Sequence, residues 1–335
     1  MALKSTVVCG LELAIETTPG QAVPTASPGD YVLLVEAAKG TVEHLEAGER
    51  GPDQRGPGDL PMVGAEGRSI KFSAPIVMRG QANGTAYTAA VMPLDRKVLP
   101  RINGCGMTFS PTGGPGGEPA WTTAPSVAPS ATASSRIYER QEDRKAYGVM
   151  AQKFSFMAKA GALVKATYEC QGGCDLPVDG TAPNASAIDT KSGVYKFHGK
   201  NPLNAFSGAV TWANPVIRSV EFSHEQVLTP RPNALKDGVH AGFFGGRQKS
   251  SLKITVEATQ LSEFNPVALK ESAATLGLQL GFGIASQAGQ RAIWRSDSLQ
   301  ILNVTDGDEG GIAVWDIELK VFSTGGAPAW SWVDY

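Results

Sequence analysis

The stretch GRSIKFSAPIVMRG, Gly67 to Gly80, alternates without a break. Ile70, Phe72, Ala74, Ile76 and Met78 hold every second position, with Ser69, Lys71, Ser73, Pro75 and Val77 between them. A period of two places each set on its own face of an extended chain, so the segment reads as a strand with one face in a core. A similar passage, GGRQKSSLKITVEATQ from Gly245 to Gln260, sets Leu252, Ile254, Val256 and Ala258 against Lys253, Thr255 and Glu257. One such strand in each half of the chain raises the question of a fold built twice.

The chain is 335 residues long, enough for two cores, and its 42% hydrophobic residues supply an ordinary globular interior. Abundant glycine (39) and proline (22) favour strands and turns over long helices. A net charge of -2 argues against a surface that coats nucleic acid. Of the cysteines Cys9, Cys105, Cys170 and Cys174, the last two have no His or Cys cluster that would complete a zinc site. Reduced thiols in a cytoplasmic setting are expected. Glu12 and Glu16 interrupt the apolar runs of the N-terminus, unlike a signal peptide, and no segment approaches the ~20 apolar residues of a membrane span.

The order of elements repeats. The first half reads strand, long loop (48–67), alternating strand, helix, loop, hairpin. Val91, Leu94, Val98 and Ile102 carry the helix, with Gly104 as its stop and Pro100 expected to end or kink it. The Gly/Pro/Ser-rich tract 109–135 reads as a long loop or arm outside the core. A hairpin follows, with Phe154, Phe156 and Ala158 on one face of its first strand and Val164, Ala166 and Tyr168 on one face of its second. The periodicity breaks near residue 180, which divides the chain into domains 1–180 and 181–335. The second half offers a strand with Ile217, Val220 and Phe222, a long loop through TPRPNALKDGVHAGFFGGRQK, and the alternating strand. It then offers a helix capped by Asn265, begun by Pro266 and stopped by Gly277, and a last hairpin with Trp315, Ile317, Leu319 and Val321 on one face. The aromatic C-terminus, with Trp330, Trp332, Val333 and Tyr335, is expected to dock on its own domain.

Catalytic patterns are missing. His44, His198, His224 and His240 are scattered, three of them in or beside loops or strand ends where a solvated histidine is expected, and no nucleophile elbow or phosphate-binding lysine motif occurs. The acidic run DGDEGG, Asp306 to Gly311, reads as a hairpin turn and not as a calcium loop. No enzyme activity, metal or cofactor is expected.

Three stretches resemble the tail tube proteins of long-tailed, siphovirus-like bacteriophages. They are LELAIETTPGQAVPTASPGDYVLLVEA, the charged loop and strand ERGPDQRGPGDLPMVGAEGRSIKFSAPIVMRG, and the Cys-Gly step that ends LDRKVLPRINGCG. The resemblance covers about the first 105 residues and implies a mainly β fold: two tandem β-sandwich or barrel domains, each with a short flanking helix and long loops. It further implies self-assembly into trimeric, pseudo-sixfold rings stacked as a tube, the conduit for DNA ejection. The implied partners are other copies, the tape measure protein and transiting DNA in the lumen, and tail terminator and distal tail proteins at the ends, with no membrane. The implied location is the virion tail, assembled in the host cytoplasm. Ser69, Lys71, Ser73, Lys253, Thr255 and Glu257 are then candidates to face the lumen or a neighbour, and Arg50, Asp53 and Arg55 to touch the next ring. Two other readings stand beside this one: a distal tail or tail-tip adaptor ring, and a two-domain β-sandwich carbohydrate-binding or adhesin module stacking sugars on Trp121, Trp212 and Trp294.

Overall fold

A computed structural model of the chain describes residues 10–16, 31–32, 40–44, 68–82, 85–92, 98–126, 131–139, 142–175, 178–179, 192–232, 240–283, 289–324 and 326–335. Among the described residues strand makes up 64% and helix 5%, so the protein is mainly β. In chain order the first half holds β1 (Gly10–Ile15), β2 (Tyr31–Val32), β3 (Gly40–His44), β4 (Arg68–Val77), β5 (Arg79–Ala82), α1 (Leu99–Ile102), β6 (Cys105–Ser110), β7 (Ala120–Pro125), β8 (Ala133–Glu139), β9 (Glu142–Lys159), β10 (Lys165–Cys174) and β11 (Val178–Asp179). The second holds β12 (Ser192–Val194), β13 (Ala205–Gly208), β14 (Trp212–Ala213), β15 (Ile217–Pro232), β16 (His240–Glu257), α2 (Pro266–Glu271), β17 (Leu276–Gly283), β18 (Arg291–Glu309), β19 (Ile312–Val321) and β20 (Ser331–Asp334).

The same order of neighbours occurs twice, and every pairing is antiparallel. It is β2–β1–β8–β9–β10–β4–β3 in the first half and β14–β13–β17–β18–β19–β16–β15 in the second. Two of the irregularities coincide. Lys153 pairs with Glu169 and Ala151 with Cys170, leaving Gln152 as an extra residue. Asn303 pairs with Glu318 and Ile301 with Leu319, leaving Leu302 as an extra residue. A second bulge separates Ala133↔Val149 from Ser135↔Ala146, and its match separates Leu276↔Leu299 from Leu278↔Ser296. Bulges bend and twist a strand, which lets two long strands, β9 (18 residues) and β18 (19 residues), each serve two sets of neighbours. Glu16 pins the bulge of the first half. Its buried carboxylate accepts from Thr132 Oγ1 (2.6 Å), Ser134 Oγ (3.0 Å) and the backbone N–H of Gly148 (2.8 Å), a glycine at φ 61°.

The halves are one continuous sheet. On the edge of β9 that β8 vacates beyond Val149, residues 153–159 pair with β15, from Lys153↔Glu225 to Lys159↔Ser219. One core cluster joins Phe72, Ile76, Phe154 and Tyr168 from the first half with Phe222, Ile254, Trp294 and Ile317 from the second. The alternating faces are as the sequence implies: Ile70, Phe72, Ala74, Ile76 and Met78 are buried, as are Leu252, Ile254 and Val256.

Several expectations need correction. The tract 109–135 contains core structure. β6 and β7 form a hairpin from Cys105↔Pro125 to Ser110↔Ala120, and β8 begins at Ala133. Within it Ala120 and Trp121 are buried, Trp121 meets Phe109 at 5.4 Å, and its indole N–H donates to Val91 O (2.7 Å). The second-half loop is largely strand as well, since β15 and β16 pair out to Pro232↔His240, and only 233–239 lie outside the described residues. Helix α1 is one turn, with Pro100 inside its first turn, where a missing N–H costs nothing. Helix α2 has its cap, Asn265 Oδ1 accepting from Ala268 N at 3.0 Å, but ends at Glu271 with Ser272 as its C-cap, because Ala273 turns left-handed at φ 50°. Gly277 lies within β17. The alternating strand β4 runs straight through Pro75, its ladder with β10 unbroken at Thr167↔Pro75.

Candidate functional site

One face of the joined sheet belongs to no core. Along β3–β4–β10–β9–β15–β16–β19–β18, eight strands in sequence of pairing, the residues that alternate with the core set align in rows. One row runs Ser73, Glu169, Lys153, Glu225, Lys249. The next is Pro75, Thr167, Ser155, Ser223, Ser251, Lys320. A third runs Lys165, Met157, Glu221, Lys253, Glu318, Asn303, and a fourth Lys159, Ser219, Thr255, Asp316, Thr305. Opposite charges face each other across the strands, the favourable cross-strand arrangement. Lys153 Nζ lies 3.5 Å from Glu169 and 3.5 Å from Glu225. The rows hold lysines and carboxylates in nearly equal number, and the face is close to neutral.

The face carries a trough of about 670 Å³ lined by Ser155, Met157, Thr167, Ser223, Lys253 and Leu302 among others. It leads to a groove of about 1130 Å³ against Ala124–Ser126 and Gly326–Ala329. Among the described residues no group of three His, Cys, Asp or Glu side chains could hold a metal.

All six strand positions singled out from the sequence lie on this face. Lys253 is exposed, and Lys71, Ser73 and Glu257 are half-buried. Ser69 and Thr255 are buried in the single chain. Thr255 is covered because its Oγ1 donates to Asp316 Oδ1 (2.5 Å) and accepts from Ser219 Oγ (3.0 Å). Glu257 forms an ion pair with Arg218, the residue bulged between Ile217 and Ser219. Arg50, Asp53 and Arg55 lie outside the described residues, as does the whole of 48–67.

Two features escaped the sequence reading. The first is the setting of His224. The residue is 1% exposed on β15, its Nδ1 is 2.8 Å from Ser250 Oγ and 3.4 Å from Trp330 Nε1, and burial pulls its pKa down to about 4. The second is a pair of open sheet edges. Beyond Leu299, β18 is paired only with β19, and β3 is paired only with β4, among the described residues. The three-residue steps Ala151 to Phe154 and Ile301 to Val304 were the signal for both bulges, and hence for the duplicated layout.

The tryptophans proposed for sugar stacking are structural. Trp294 is fully buried, Trp121 is 8% exposed, and Trp212 stacks on Phe206 and Phe264 at 5.6 and 4.7 Å. The aromatic terminus docks on the chain itself, as β20 between β18 and β7. Cys105, Cys170 and Cys174 are buried, and no helix is long and apolar enough to cross a membrane among the described residues. No protein-family model matches the chain, and no curated protein matches it.

Proposed function

We propose that the protein is the tail tube subunit of a long-tailed bacteriophage, with two tail-tube-type domains per chain. Three copies close a pseudo-sixfold ring, and rings stack into the conduit through which DNA leaves the virion. The observation that carries this reading is the eight-strand sheet that crosses both halves without interruption and keeps one near-neutral polar face outside the core. Eight strands from each of three copies make a barrel wide enough for an open lumen. A conduit must not hold its cargo. A polyanion passing alternating lysines and carboxylates meets no continuous basic stripe and releases few counterions. In this reading the polar rows line the channel, the tape measure protein and DNA occupy it, and tail terminator and distal tail proteins close its ends. The protein acts by shape and performs no catalysis.

Electron microscopy of the purified full-length chain at high concentration tests this directly. Rings or tubes with a central channel are expected, and a strict monomer overturns the proposal. Copy number in a virion separates a tube, with many copies, from an adaptor ring, with a few.

A further inference from the structure

We infer that residues 303–306 of β18 pair antiparallel with β3 of a second copy, in a register already written inside the chain: Asn303↔Glu43, Val304↔Val42, Thr305↔Thr41 and Asp306↔Gly40. The inference deepens the ring reading and rests on it only for the number of contacts that close.

The argument runs from the internal duplication. Matching bulge to bulge makes Gln152 the counterpart of Leu302, and therefore Lys153, Phe154, Ser155 and Phe156 the counterparts of Asn303, Val304, Thr305 and Asp306. The ladder onto the alternating strands makes the same assignment for the partner. Gly40 faces Phe72 as Phe222 faces Leu252, and Glu43 faces Ser69 as Glu225 faces Lys249, with Phe72 equivalent to Leu252. So β3 is the counterpart of β15. Within the chain, the first-half edge at 153–156 is filled by β15 through Lys153↔Glu225, Phe154↔His224, Ser155↔Ser223 and Phe156↔Phe222. The second-half edge at 303–306 has no such partner among the described residues, and the only other strand of the β15 type is β3, at the far end of the same eight-strand sheet. A second copy supplies β3 to that edge, and the contact is head-to-tail and repeats.

The edge suits a partner. Val304 is half-buried where its counterpart Phe154 is 4% exposed, and Leu302 beside it stands 54% exposed. Beyond them Asp306, Asp308 and Glu309 place charge on the edge, which discourages indiscriminate pairing while leaving the ladder groups available.

The test uses the full-length chain with Thr41→Cys and Thr305→Cys together, under mild oxidation and non-reducing electrophoresis. Paired residues of an antiparallel ladder lie about 4.5–5.5 Å apart at Cα, within the range of a disulfide. Covalent multimers are expected with the double variant and not with either single one. A pair displaced by one pleat, Thr41→Cys with Gly307→Cys, is expected to cross-link at least about tenfold less, since diagonal neighbours are about 7–8 Å apart. Equal yields from both pairs, or no multimers from either, overturn the proposed register. Rings seen by microscopy without register-specific cross-links would leave the tube reading standing and remove this one. Register-specific cross-links in particles that never close would do the reverse.

Discussion

The junction between β9 and β15 and the open edge of β18 occupy equivalent places in the two halves, and they are equipped differently. At the junction, Asn103 Nδ2 and Gln226 Nε2 both donate to the carbonyl of Ala151, at 2.9 and 2.8 Å, beside the bulge. Trp330 fills the space over it, 6.1 Å from Phe154, 5.1 Å from Phe222 and 5.4 Å from His224. A second bridge ties the halves together where the β6–β7 hairpin, which has no counterpart among the described residues of the second half, pairs with β20. The β18 edge has an exposed leucine, a half-buried valine and a run of acids. One architecture thus serves twice, once as permanent interior and once as a surface that a single chain leaves open.

The sharpest way to break this comparison is to make the same change at equivalent positions. Phe154 packs on Phe156, Tyr168, Phe222 and Trp330, with Tyr168 stacked at 4.7 Å. Phe154→Ala is expected to cost about 3–5 kcal/mol in urea unfolding of the unassembled chain. Val304→Ala, at the open edge, is expected to cost under about 1 kcal/mol in the same assay while weakening self-association. Similar losses at both sites would mean that the edge is already structural in one chain.

The strand pairs were legible because burial on one face enforces a period of two. Phe72 and Ile254 alternate with polar residues in the sequence for the reason that they are buried in the fold. What stayed hidden had weaker or misleading local signals. In β6 and β7, six-residue strands are flanked by Gly, Pro and Ser, and the composition of the turn masked the strands around it. Ser69 and Thr255 look solvated by pattern. Thr255 is covered through hydroxyl bonds to Asp316 and Ser219, from strands far away in sequence. The alternation of Val220, Phe222 and His224 put the imidazole on the core face, but its partners Ser250 and Trp330 reach it only through the β15–β16 ladder and the C-terminal segment, which no local pattern shows. The open edges belong to the topology, and no single segment carries them.

His224 turns the closed junction into a measurable pH dependence. Burial lowers its folded-state pKa to about 4, below the ordinary 6.5, so the unfolded chain takes the proton first. Its contribution to stability is complete above pH 6.5 and is lost as pH falls from 6.5 towards 4, by about 3 kcal/mol at the lower end. His224→Val is expected to flatten this part of the stability profile measured by denaturant titration. An unchanged slope in that window would place the titrating group elsewhere. The equivalent position of the open edge's partner is Val42, so that place in the proposed contact between copies carries no imidazole.

The helices differ in the same spirit. α1 has no side-chain cap and is held by burial of Leu99, Pro100 and Ile102, whereas α2 buries only Pro266 and relies on the Asn265 cap. Asn265→Ala is expected to cost about 1 kcal/mol. A loss several times larger in thermal or urea unfolding would show that α2 contributes to the core in a way that its exposure conceals.

Lys153→Asn makes the closed junction resemble the open one, because Asn303 is the counterpart of Lys153. Lys153 reaches both Glu169 and Glu225, but these side chains are 33%, 45% and 51% exposed, so water and salt screen the pairs. The expected loss is no more than about 0.5 kcal/mol at moderate ionic strength, and it should shrink further in high salt. A small effect would assign the charge rows to the lining of the proposed channel, where alternation keeps a polyanion from adhering, and leave cohesion to Phe154, Phe222 and Trp330 on the other face. A loss of several kcal/mol in urea unfolding would reverse that division of labour, because the ion pairs would then be part of what joins the two halves.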